Sequence, residues 1–210
     1  MQVATTSMIR DFSRAAPVAQ IERTALALEA NGLHTQVVED GKQASKLFFE
    51  LLPEGAQVYQ GSSVTLDTLG VSAHIEGSGC YDAIRPKLRR LDRLTQSDEI
   101  RRLGASPDYV VGSVNAVTDN GRIMVASAVG SQLGPYVSGA KKVIWIVGAQ
   151  KLVRDLDEGM RRIEEYVMPL ENARLQKAYG MNTSLNKILI INKERPGRIT
   201  IILVKENLGF

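Results

Sequence analysis

Lys142-Val-Ile-Trp-Ile-Val-Gly148 is apolar at five consecutive positions. A short apolar run without polar alternation belongs to a strand covered on both faces, as in the centre of a parallel sheet. It leads into Gly148-Ala149-Gln150-Lys151. Ligands of open α/β sheets gather at the carboxyl ends of such strands, so Lys151 is placed to meet an anion. The plainer alternative is a solvent-exposed lysine ahead of a helix.

Outward from this run, helix and strand patterns alternate along the whole chain. They predict an α/β fold with three layers, helix–sheet–helix, around a mostly parallel, mixed central sheet. Val18, Ile21, Ala25 and Leu28 share one helix face, and Asn31-Gly32 supplies its stop. Residues 33–39 alternate as a strand, and Ala44, Leu47, Phe48, Leu51 and Leu52 form the stripe of a second helix. Residues 57–60 read as a short strand, followed by Gly61-Ser62-Ser63 and a helix from Thr65. Residues 77–86 read as loop. Residues 87–103 read as helix, broken near Thr95-Gln96-Ser97 with Ser97 as a cap.

Asp108-Tyr-Val-Val-Gly-Ser-Val-Asn-Ala-Val-Thr-Asp-Asn-Gly-Arg-Ile-Met-Val125 predicts a strand, a small-residue break and a hairpin turned at Asn120-Gly121. Residues 130–139 read as a connection. Asp155 and Glu158 form a capping-box signature for a helix buried through Leu156, Met160, Ile163 and Val167 and closed by Pro169. Residues 170–179 form a short helix stopped by Gly180, and residues 187–192 and 198–204 are the final strands. With no repeat or linker, residues 1–210 are expected to form a single domain.

A net charge of +3, from 26 basic and 23 acidic residues, is too small and dispersed to indicate nucleic acid. The densest basic stretch, residues 87–93 with Arg101-Arg102, is interleaved with Leu88, Leu91 and Leu94. It reads as a solvated helix face before it reads as a phosphate patch. Aromatic content of 5% also removes the stacking platforms of single-strand binders. Arg10 and Arg14 stand near the start without the apolar core of a secretory signal. The longest apolar runs fall far below the roughly 20 residues of a membrane span, so a cytoplasmic protein is expected.

Cys80 is the only cysteine, which excludes an internal disulfide and any multi-thiolate zinc or iron–sulfur site. Its loop, Gly77-Ser-Gly-Cys-Tyr81, has only His74 nearby and suggests an incidental thiol. His34 and His74 lack neighbours at ligand spacing, so no metal site is expected.

Four places remain as ligand-facing candidates. Gly61, Ser62, Ser63 and Thr65 follow a strand and open a helix, an arrangement that suits phosphates and carboxylates. An ordinary serine N-cap explains the same residues, and no Walker lysine follows. Turn chemistry accounts for Asp119, Asn120 and Gly121, but leaves Gly112, Ser113 and Asn115 as residues that can face a ligand. Lys151 is the third candidate. Glu171 and Arg174, at i and i+3, form either a surface pair or a site-facing one. No catalytic nucleophile or acid is evident.

Taken together, several segments resemble the lactate-utilisation protein family, the LUD domain. They are Gly61-Ser-Ser-Val-Thr-Leu-Asp-Thr-Leu-Gly70, the 108–121 stretch, Val147-Gly-Ala-Gln-Lys-Leu-Val153, the run from Arg161 through Glu171 to Arg174, and Lys205-Glu-Asn-Leu-Gly-Phe210. The resemblance implies a three-layer fold similar to the sugar-phosphate isomerase and coenzyme A transferase group. It also implies a role in L-lactate oxidation beside partner subunits that hold iron–sulfur clusters. Some members carry a cysteine-rich tail that this sequence lacks, so no cofactor is expected on this chain. Where some relatives read Gly-Asn-Arg, this chain has Gly130-Ser131-Gln132, without the anion-pairing arginine. No glutamate matches a transferase nucleophile.

Three functions compete. The first is a component of lactate oxidation that binds a small anion or partner subunits. The second is an independent transferase or isomerase acting on a phosphorylated or coenzyme A-linked metabolite, and the third is a structural or regulatory interaction protein. The sequence leaves the oligomeric state open, a homo-oligomer included.

Overall fold

In a computed structural model describing residues 11–210, the apolar run becomes β7 (Lys142–Gly148) of a six-stranded sheet. The reading of a missing leader core at Arg10 lies outside the described residues. Across the sheet the order is β1 (His34–Val38), β10 (Ile199–Val204), β7, β4 (Tyr109–Gly112), β2 (Gln57–Gln60) and β3 (Asp82–Ala83). Every neighbouring pair is parallel, with Trp145 opposite Ile201 and Ile144 opposite Val111.

The pleat explains why residues 143–147 of this strand carry no polar side chain. Val143, Trp145 and Val147 enter one core, and Ile144 and Ile146 enter the other. On the second face lie α2 (Gly41–Leu51), α3 (Val64–Thr68) and α4 (Val71–Gly77), through Phe48, Leu66 and Ile75. On the first face lie α1 (Val18–Ala30), through Ile21 and Leu28, and α5 (Ile84–Arg90), through Ile84. The expected layering of helices on both faces of a mostly parallel sheet is the observed one.

The antiparallel pairing is gathered into a second, four-stranded sheet. Its order is β8 (Leu152–Val153), β5 (Ala116–Thr118), β6 (Ile123–Ser127) and β9 (Lys187–Ile191). The 108–125 stretch is therefore divided. Its first strand belongs to the parallel sheet, residues 113–115 cross between sheets, and only β5–β6 form the hairpin. The small sheet contributes Val117, Ile123, Val125 and Leu152 to the first core. Its other side meets α7 (Leu156–Arg162) through Ala116, Met124 and Met160.

Predicted end signals mostly hold. After α1, Leu33 N–H donates to Leu28 O at 3.0 Å around Gly32 in the left-handed region. Asp155 Oδ1 accepts Glu158 N–H at 2.8 Å, while Glu158 Oε2 takes Arg154 N–H instead of that of the cap itself. Three expectations fail. Residues 82–86 hold β3 and the start of α5 where loop was expected, because Ile84 is drawn fully into the core. Gln96, not Ser97, precedes α6 (Ser97–Ala105), and no side chain caps it. Pro169 does not close the helix. A π turn at Ile163–Val167 runs directly into α8 (Met168–Tyr179), so the proline's missing N–H falls in its first turn. The 130–139 connection also contains a π turn, Pro135–Gly139.

Candidate functional site

Strands β7, β4 and β2 are neighbours, so the segments that follow them meet at one edge of the sheet. There they line a cleft of about 800 Å³. All ten sequence candidates border it: Gly61, Ser62, Ser63, Thr65, Gly112, Ser113, Asn115, Lys151, Glu171 and Arg174.

Lys151 is the centre of the arrangement. A single 3-10 turn, Ala149–Lys151, carries the chain from β7 directly into β8, so no helix follows the lysine. The solvent-exposed alternative is overturned, because Lys151 is only 2% exposed. Its Nζ donates to Thr65 Oγ1 and to Ser113 Oγ, both at 2.9 Å. Thr65 in turn donates to Leu208 O at 3.1 Å, and Ser113 donates to Ile146 O at 2.6 Å. Each hydroxyl proton is thus committed to a backbone carbonyl, which fixes both oxygens as acceptors toward the lysine. Among the described residues no carboxylate lies within ion-pair distance of Lys151. Burial, with the Arg162 guanidinium nearby, holds its amine well below the usual lysine range.

Arg162 is the buried residue that sequence reading left out. It is fully buried, and donates through Nε to Gln150 O at 3.2 Å and through Nη1 to Asn115 O. It therefore ties the turn that carries Lys151 to the crossing after β4. The available signal was Gly159, one helical turn earlier, where a Cβ would meet Met124 Sδ at 2.3 Å. A glycine inside a helix marks a face pressed against its neighbour.

The remaining candidates divide by what holds them. Asn115 spends Oδ1 on Ala126 N–H at 2.7 Å, which stabilises the hairpin and leaves Nδ2 as the end able to meet a ligand. Gly112 is required for packing, since a Cβ there would lie 2.1 Å from Tyr136 Oη. Ser63 Oγ accepts Leu66 N–H at 3.4 Å, the ordinary capping role. Glu171 holds Arg174 by two hydrogen bonds, at 2.6 and 2.7 Å, and Arg174 Nη2 reaches Ser62 Oγ at 3.3 Å. The pair therefore faces the cleft and bridges α8 to the loop after β2. The carboxylate beside Arg174 raises the guanidinium's already high pKa.

Arg85, Arg89 and Arg93 border the same cleft, so part of the basic stretch read as a solvated face looks into it. Glu76 offsets two of them, reaching Arg85 at 3.6 Å and Arg89 at 2.6 Å. The final segment closes another side. Gln150 Nε2 donates to Leu208 O at 2.9 Å while its Oε1 accepts Leu208 N–H at 3.2 Å. Asp119 stays out of the cleft chemistry: Gln20 and Arg23 of α1 hold its carboxylate at 2.8 and 3.3 Å.

An iron–sulfur cluster does not fit this chain's residues, because Cys80 is its only thiol and lies among loop residues. Among the described residues no group of three or more His, Cys, Asp or Glu side chains is placed to hold a metal ion. None of their helices is long and apolar enough to cross a membrane.

Comparison with known proteins gives the family. The sequence model of the LUD domain matches residues 21–204. A solved structure described as a DUF162 family protein from Deinococcus radiodurans superposes with a TM-score of 0.56 at 11% identity. That match covers 91% of this chain and 99% of the other, and shows a shared fold. No curated protein matches the chain. The matched span contains β7, the three strand-end loops and Lys151, and the chain belongs to the LUD-domain family.

Proposed function

We propose that the cleft binds a small anion, a carboxylate or a phosphate, and that the chain serves L-lactate utilisation beside partner subunits that carry iron–sulfur clusters. The observation that carries the first part is the Lys151 nitrogen, sunk at the cleft with two hydroxyl acceptors and no carboxylate. Charging a buried amine without a counter-charge is costly, which favours its neutral form until an anion bound nearby offsets that cost. Arg174, on the same wall, is a standing cation already oriented by Glu171. Family membership supports the second part, and a single thiol accords with clusters being held by a partner and not by this chain.

Two measurements test it. Titration calorimetry with L-lactate, inorganic phosphate and an acyl-coenzyme A compound should give saturable binding of at least one, weakened in Lys151→Met. Affinity purification from the native cells should bring down cluster-bearing proteins, while the isolated chain reduces no dye with lactate. No binding of any anion removes the first part of the proposal. Lactate turnover by the chain alone removes the second.

A further inference from the structure

The hydrogen-bond directions around Lys151 define more than an anion contact. A neutral amine has two N–H donors and one lone pair. Thr65 Oγ1 and Ser113 Oγ both act as acceptors, because their own protons go to Leu208 O and Ile146 O. Two N–H donors and two fixed acceptors satisfy each other, and the lone pair is the one feature of the nitrogen left unengaged. Lys151 lines the cleft and is otherwise enclosed by protein. A lysine needed only as a point charge would gain from a carboxylate or from solvent, and here the fold gives it neither. A desolvated lysine beside a second cation is how proteins produce a nucleophilic amine, and Arg162 is that cation.

We propose that Lys151 is a nucleophilic amine that condenses with the carbonyl of a small anionic aldehyde or ketone bound in the cleft. This rests on the anion-binding reading above, which supplies the charge selection through Arg174 and Ser62. In the first step the lysine lone pair forms a bond to the carbonyl carbon. One amine proton moves to the carbonyl oxygen, giving a carbinolamine. In the second step that oxygen leaves as water, taking the remaining nitrogen proton, and the C=N bond of an imine forms. Nothing is oxidised or reduced. Ser113 and Thr65 hold the amine in one orientation for the attack, and the anionic group of the substrate stays at the Arg174 side of the cleft.

The test is reductive trapping on the full chain. The protein is incubated with sodium cyanoborohydride and either pyruvate, as a carboxylate-bearing ketone, or dihydroxyacetone phosphate, as a phosphate-bearing one. The products are read by intact mass and peptide mapping, with binding of each compound measured in parallel by calorimetry. The expected result is a single dominant adduct on Lys151, for pyruvate a mass gain of the acid less one oxygen atom. It should disappear in Lys151→Met and be suppressed by excess inorganic phosphate or L-lactate. Which compound is trapped identifies the anionic group. Peptide mapping of the unaltered chain keeps the result independent of how well the variant folds. Binding without an adduct at Lys151, or adducts scattered over surface lysines, overturns the nucleophile and leaves anion binding standing. Absence of both binding and adduct overturns the two together.

Discussion

Lys151 and Ser113 are linked at 2.9 Å across the ends of two adjacent parallel strands, and Ser113 passes its own proton back to the β7 backbone at Ile146. The serine thus fixes the lysine and the strand end together. Ser113→Ala removes both hydrogen bonds while leaving the apolar packing nearly intact. It should destabilise the fold by about 1 kcal/mol, seen as a lower urea midpoint at unchanged slope.

The depressed titration of Lys151 has a definite sign in stability. An unfolded lysine releases its proton near 10.5, and the folded one does so at lower pH. Between those values the unfolded chain holds a proton that the folded chain has lost, so stability rises with pH across that window. Below the window both states are protonated and this contribution is flat. Urea midpoints of the wild type should therefore gain on those of Lys151→Met as pH rises toward 10.5. A constant gap would mean that Lys151 titrates alike in both states.

Arg162→Met should be more damaging than any substitution at the cleft surface. It strips the carbonyls of Gln150 and Asn115 of a charged donor inside the core. Groups left so should cost about 3 kcal/mol. Hydrogen exchange should show the loss first at the 149–151 turn and the 113–115 crossing. Protection unchanged at both would contradict the tying role.

Gly112→Ala places a methyl group against Tyr136, whose ring is buried and edge-on to Trp145 with centroids 5.0 Å apart. That ring has little room to swing away. Overpacking should cost about 1–3 kcal/mol, and near-ultraviolet dichroism should report the disturbed Tyr136–Trp145 pair. A stability equal to wild type would show that the strand end can shift.

Arg174 and Glu171 should separate binding from stability. Their pair is partly exposed, so losing it changes stability by less than about 1 kcal/mol. Arg174→Ala should nonetheless weaken the bound anion about tenfold, which corresponds to 1.4 kcal/mol. Glu171→Gln should tighten it, because the competing negative charge is removed. Calorimetry on the two variants checks the opposite signs.

Legibility in the sequence followed the range of the interactions. The helix stop at Asn31-Gly32 and the cap at Asp155 were readable because their hydrogen bonds span only a few residues. Pro169 was misread because its tolerance depends on a π turn, which leaves no composition signal. The second sheet was hidden for another reason. Strands β4 and β5 are separated by three residues, and nothing local says that the chain changes sheets there. Arg162 was missed because arginine in a helix reads as surface, and only its position against two backbone carbonyls makes it core.

By itself the sequence determined that β7 would be covered on both faces, that the layers would be helix, sheet and helix, and which small and polar residues would follow the strands. Those are consequences of side-chain hydrophobicity at fixed spacing, a local property. Only the tertiary structure decided that β7, β4 and β2 are neighbours, which brings residues 61–65, 113–115 and Lys151 to one cleft. It also decided that Lys151 is buried and held by two hydroxyls. Strand order and burial arise from contacts between distant segments, and spacing along the chain does not encode them.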